Sequence, residues 1–184
     1  MEQETDIEVL VAGPEHEKYV DTILDTIAEA AKVSNSTSLM TNEPLKDLKE
    51  GEDIFRKIVE PYRGSYVYID IWGTWCRPCK EEMKYVPELK EALKDKNVVY
   101  LYLCNQSSEE SWRNNIERYH LAGEHCIHYN LPDAQQSALE NYIGINGYPT
   151  YKLVTPDGQL LPGMAPRPSD AEAVKMMIDE LEKP

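Results

Sequence analysis

The chain of 184 residues holds no apolar run of about eighteen residues. That excludes a membrane-spanning helix. No internal repeat or low-complexity tract is present, so a repeat array is excluded too. Bases are scarce: 19 Lys+Arg face 33 Asp+Glu, for a net charge of −14. Residues 1–60 carry a net −9 and residues 61–184 a net −5. With no basic stripe to offset it, such a surface repels nucleic acid and anionic lipid. Its plain role is solubility. The first residues, "MEQETDIEVL", are acidic and lack the basic, then apolar, then small-residue order of a leader, so no signal peptide is expected in this chain. Cysteine is also sparse, and of the 4 only Cys76 and Cys79 lie close together.

The chain does have enough apolar residues, 41%, to bury a core. Residues 14–33 place Val20, Ile23, Leu24, Ile27 and Ala31 at helical spacing after Pro14. "SNSTSLMTNEP" reads as a loop. A short helix is expected over 53–60, with Ile54, Phe55, Ile58 and Val59 on its apolar face. "SYVYIDIW" (65–72) and "NVVYLYLCN" read as strands. Between them, "RPCKEEMKYVPELKEALKDK" reads as one helix, kinked at Pro87. Residues 107–121 read as a serine-capped helix. "HCIHYNL" is a short strand, and "DAQQSALENYIG" a helix ending at Gly144. Residues 150–163 form a hairpin turning at Pro156-Asp157-Gly158. A final amphipathic helix spans 169–182. This order predicts an α/β fold with a parallel element and an antiparallel edge.

"YIDIWGTWCRPCKEE" (68–82) sets Cys76 and Cys79 at a strand-to-helix junction. A zinc site needs four ligands. One could be drawn from these cysteines with His125 and His128 beside Cys126, but the spacing fits no usual pattern. A CxxC in an α/β setting reads instead as a redox pair. The first cysteine meets the unpaired N–H groups at a helix start, which favour its thiolate. The second lies within one turn of it.

"DIWGTWCRPCK" resembles the active site of the thioredoxin superfamily, and "WGTWCxPC" is most similar to its TlpA/ResA-type thiol–disulfide oxidoreductases. "GYPTY" resembles the Gly-x-Pro-Thr of that family, where the proline follows a cis peptide and faces the CxxC. Here it is Pro149. The hairpin with its Asp-Gly turn, and a helical insertion over about 107–143, also match the TlpA type. The resemblance covers about 52–182. It implies a thioredoxin-like domain over 52–184: a central mixed sheet flanked by helices, preceded by an N-terminal helical extension, or the tail of an upstream domain, over 1–51.

The resemblance also implies roles. Cys76 is the attacking cysteine and Cys79 the resolving one, joined as a disulfide when oxidised. Asp70 matches the buried acid that moves a proton near the resolving cysteine, and Glu82 the glutamate that TlpA/ResA-type proteins carry near theirs. Either could take the Cys79 proton, and both charges would oppose a thiolate. Trp75, Arg77, Pro78, Tyr148 and Pro149 are expected around the cysteines, where a partner chain docks. Arg77 would favour the Cys76 thiolate if it stayed near the sulfur. Position 84 departs from the family, carrying Lys84 where a proline is frequent.

Plain structural readings stand beside these. Asp70 could be a solvated edge residue, Glu82 a surface acid, and Pro149 a trans loop proline. Trp72 reads as core and Trp75 as a wall of the site. Cys104 and Cys126 read as inert buried thiols, unless their Cα atoms lie within about 7 Å. The implied function is thiol–disulfide exchange with protein partners, as a reductase fed by an upstream electron donor. No organic cofactor and no metal is implied. The resemblance places such proteins in the periplasm or cell envelope, in the manner of Bacteroidetes-type envelope proteins, and a monomer is favoured. A redox-inactive binding module and a thiol peroxidase are the competing classes. The intact CxxC opposes the first, and the local motif around Cys76 opposes the second.

Overall fold

A five-stranded sheet organises the computed structural model, which describes residues 37–40 and 42–183. The strands are β1 (Thr37–Leu39), β2 (Tyr66–Trp72), β3 (Val98–Cys104), β4 (Cys126–Asn130) and β5 (Thr150–Val154), in the order β1-β4-β3-β2-β5. Four run parallel, and β5 lies antiparallel on β2. This is the mixed sheet flanked by helices that the strand–helix alternation predicts. The expected helix over 14–33 lies outside the described residues. The compact unit here runs Ser36–Pro184.

Every residue of β2 and β3 is buried, as expected of parallel strands covered on both faces. Period two then sorts the side chains. Tyr66, Tyr68 and Trp72 point to one layer, and Val67, Ile69 and Ile71 to the other. Asp70 falls in register with the first set. That layer holds Cys76, Cys79, Met83, Val86, Leu89, Val174 and Ile178. Its helices are α2 (Arg77–Met83), α3 (Val86–Ala92), α4 (Glu109–Arg118) and α6 (Ala171–Leu181). The opposite layer carries α1 (Gly51–Val59) and α5 (Asp133–Ile143). Ile54 and Ile58 of α1 are fully buried, each contributing about 1.5–3 kcal/mol of apolar burial. Gly51 permits this packing, because a Cβ there would stand 2.1 Å from the Ala138 carbonyl oxygen of α5.

Three expectations change. Residues 37–39, read as loop, form β1, paired with β4 through residue pairs such as Leu39 and His128. Three residues are too few for a legible periodicity. The single kinked helix is two helices, broken at Lys84–Tyr85. Pro87 sits in the first turn of α3, where its missing N–H costs nothing. In a continuous helix its ring would meet the Met83 carbonyl. The hairpin keeps its turn, with Gly158 at φ +84° and its N–H on the Thr155 carbonyl, but its second strand is reduced to one bridge, Val154 to Leu160. Pro162 has no N–H to give, and Gly163 at φ +81° turns the chain away. Pairing resumes only where the Ala165 N–H reaches the Tyr151 carbonyl.

Candidate active site

Strand β2 ends at Trp72, and a four-residue loop leads into α2. Gly73 opens the loop with little room: a Cβ there would stand 2.6 Å from Trp75 Nε1 and 3.1 Å from the Asn105 carbonyl oxygen. Ser107 holds Thr74, its Oγ lying 3.0 Å from both the Thr74 amide and the Thr74 hydroxyl. Lys80 Nζ donates to the Thr74 carbonyl at 2.9 Å. Cys76 then caps α2, and its Sγ accepts from the Cys79 amide at 3.2 Å.

Cys76 and Cys79 form a disulfide, with Cα atoms 5.4 Å apart. Cys76 is 3% exposed and Cys79 fully buried. Asp70 is buried on β2, an interior strand between β3 and β5, not solvated on an edge. Burial, reinforced by the Glu82 charge, pushes its carboxyl up to about 8. Its Oδ1 has no hydrogen-bond partner among the described residues. Glu82 is largely covered. It accepts from the Ser169 amide at 3.1 Å and faces Arg167 Nη1 at 3.7 Å, which ties α2 to the turn before α6.

Trp75, next to Cys76 in the loop, is 52% exposed, whereas Trp72 is core. Trp75 Nε1 donates to the Asn105 carbonyl at 3.2 Å, and the ring meets Tyr148 edge-on with centroids 5.0 Å apart. The Tyr148–Pro149 peptide is cis, so the trans reading of Pro149 falls away. Arg77 and Pro78 are exposed. Arg77 makes no ion pair among the described residues, and its charge falls on Glu81.

The other two cysteines stand apart. Cys126 is in register with Tyr100, four residues from Cys104 along β3. That is about 13 Å at strand rise, too far for a disulfide. Both are free and buried, and burial pushes the Cys104 thiol up to about 12. His128 is buried, stacked on Tyr102 at 4.6 Å, and burial pulls it down to about 4.

Sequence reasoning missed Asn105, Ser107, Glu140 and Arg167. Only Glu140 left a signal. It lies on the buried face of α5 with Gln136, Leu139 and Ile143, a helical spacing that exposes a carboxylate to the core.

The comparisons with known proteins agree with this geometry. A family model described as thioredoxin-like matches residues 64–160. The chain belongs to the thioredoxin-like family. The thiol-disulfide oxidoreductase ResA of Bacillus thuringiensis (strain Al Hakam) is 31% identical over 99 residues, which is 54% of this chain and 54% of that protein. ResA of Geobacillus kaustophilus is 32% identical over 99 residues, 54% of this chain and 53% of that one. The chain therefore spans about half the length of the ResA proteins it matches. Among solved structures, the thioredoxin domain of a thiol-disulfide oxidoreductase from Bacteroides vulgatus superposes with a TM-score of 0.55 at 21% identity. It covers 68% of this chain and 84% of that one, and shows the fold. A candidate thiol-disulfide oxidoreductase of Bacteroides vulgatus, solved in solution, reaches 0.55 at 28% identity, over 67% of this chain and 78% of that one.

Proposed function

We propose that this thioredoxin-like chain is a thiol–disulfide oxidoreductase that exchanges its Cys76–Cys79 disulfide with protein partners, working as a reductase. The observation that carries the reading is the disulfide itself: it starts a helix, has Cys76 as its less deeply buried residue, and lies on the face of the sheet that the buried Asp70 shares. In the reduced protein the Cys76 thiolate attacks one sulfur of a partner disulfide. That bond breaks, a mixed disulfide forms, and one partner thiolate leaves. Cys79 then gives up its proton and attacks the Cys76 sulfur, releasing the second partner thiolate. Two electrons have passed to the partner, and an upstream thiol donor returns them.

Asp70 suits the role of proton acceptor for Cys79. A carboxyl held near 8 changes charge close to neutral pH. Glu82 acts on that acid by raising it. Trp75, Tyr148, Pro149 and Pro78 form the docking surface, and Arg77 lies at its exposed rim. The electrons travel in sulfur, so no organic cofactor is needed. The compartment that goes with this reading is the periplasm or cell envelope, and the protein acts as a monomer.

The test is the reduction potential of the Cys76–Cys79 pair against glutathione or dithiothreitol. A value near or below about −250 mV supports a reductase, and one near about −180 mV or above supports an oxidant or isomerase. The absence of any reversible two-electron couple refutes the redox reading.

A further inference from the structure

Glu140 of α5 is 8% exposed and belongs to no ion pair among the described residues. Burying a carboxylate without a cation is unfavourable unless hydrogen bonds replace its water. Here three neutral donors do so. Oε1 accepts from Asn105 Nδ2 at 2.9 Å and from Gln136 Nε2 at 2.7 Å. Oε2 accepts from the Tyr148 hydroxyl at 2.7 Å. The backbone carbonyl of Glu140 also takes the amides of Gly144 and Ile145, at 2.9 and 3.2 Å. One residue thus closes α5 and pins the loop that follows it.

Two of those partners converge on Trp75. Asn105 offers its carbonyl to the indole N–H, and Tyr148 packs its ring edge-on against the indole. An exposed tryptophan would otherwise sample several rotamers. A path of hydrogen bonds runs from Asn105, just after β3, through Glu140 of α5 to Tyr148 of the cis-proline loop, and both of its ends touch the indole.

We propose that Glu140 is a positioning residue for partner docking: through Asn105 and Tyr148 it holds Trp75 in place beside the cysteines. This inference rests on the redox reading above. It predicts an effect on the partner's KM and none on the sulfur chemistry, since none of the hydrogen bonds of Glu140 among the described residues reaches either cysteine.

Two readouts test it. The first is solvent exchange of the tryptophan indole N–H protons, resolved by NMR. Trp75 Nε1 is hydrogen-bonded, whereas the buried Nε1 groups of Trp72 and Trp112 have no partner among the described residues, so the signals are distinct. The second is the KM for reduction of insulin disulfides. In Glu140→Ala, Trp75 exchange and KM each rise about tenfold, the scale of one lost anchoring hydrogen bond. The kcat and the Cys76–Cys79 potential stay at wild-type values. Glu140→Gln keeps one acceptor oxygen for Asn105 and Gln136, and it recovers KM to within about threefold.

Wild-type exchange or wild-type KM in Glu140→Ala overturns the proposal. So does a shift of the potential together with KM. If Glu140→Ala does not fold, Tyr148→Phe decides, because it keeps the ring and loses only the hydroxyl. Faster Trp75 exchange in it supports the proposal, and unchanged exchange overturns it. If the wild-type protein reduces no protein disulfide, the redox reading falls, and the exchange measurement alone then decides whether Glu140 holds Trp75.

Discussion

Replacing Asp70 by asparagine should change the pH dependence of stability more than its size at any one pH. Asp70 is raised from 3.8 to about 8 in the folded protein. Its favourable contribution is complete below about pH 4 and is lost as pH rises to about 8, because the unfolded chain gives up the proton first. Four units at 1.36 kcal/mol each make a loss of roughly 5 kcal/mol. His128 works in the opposite sense. It is lowered from 6.5 to about 4, so its contribution is complete above about pH 6.5 and is lost as pH falls toward 4, by roughly 3 kcal/mol.

In the wild type the two slopes oppose one another between about pH 4 and 6.5, and Asp70 alone acts from there to about pH 8. Asp70→Asn removes one slope and uncovers the other. Its stability should climb from pH 4 to 6.5 and then stay level. Relative to wild type it should gain roughly 5 kcal/mol between pH 4 and 8, on top of a fixed cost for the buried amide. Urea unfolding across this range, with the disulfide intact so that neither site cysteine titrates, measures the difference. A stability difference between the two proteins that does not vary with pH would refute the argument.

Cys79→Ala should trap a mixed disulfide between Cys76 and its partner, seen as a dithiothreitol-sensitive band on a non-reducing gel, while Cys76→Ala should trap none. Arg77→Ala should move the Cys76 thiol pKa by less than about 0.5 unit, because an exposed charge is screened; absorbance titration of the thiolate reads it. Gly73→Ala should displace the Trp75 indole, which lies 2.6 Å from where the new Cβ would stand, and raise the KM for insulin. Gly51→Ala should leave that KM unchanged and cost about 1–3 kcal/mol in urea unfolding through overpacking against Ala138.

Much of the fold was legible because its strands and helices carry strong local patterns. Continuous β-branched and aromatic runs mark β2 and β3, and Ser108 and Gly144 mark helix ends. The cysteine pair and Pro149 were legible as motifs, and Asp70 as an acid in an apolar strand. What stayed hidden depends on pairing across distance. Strand β1 exists because β4 offers it an edge. The helix break at Lys84–Tyr85 came from Pro87 acting three residues upstream. Asn105, Ser107 and Arg167 are ordinary polar residues until the sheet brings them to the loop after β2. The effect of Arg77 on the sulfur depends on where its side chain lies, which adjacency in sequence does not give; in the fold it is exposed in the first turn of α2.

The contact between Glu140 and Tyr148 bears on how small this protein can be made. Cutting out 107–143 would leave a shorter chain that still owns β2, β3, β5, the CxxC and the cis proline. It would also strip the Tyr148 hydroxyl and the Asn105 amide of their shared acceptor. It would also remove Ser107, which holds Thr74 in the loop before Cys76, so on the proposed reading the shortened chain would lose supports of both the cysteine loop and the docking face. On the proposed reading the excised segment supports the docking face, and it should be carried along whenever this domain is grafted or shortened.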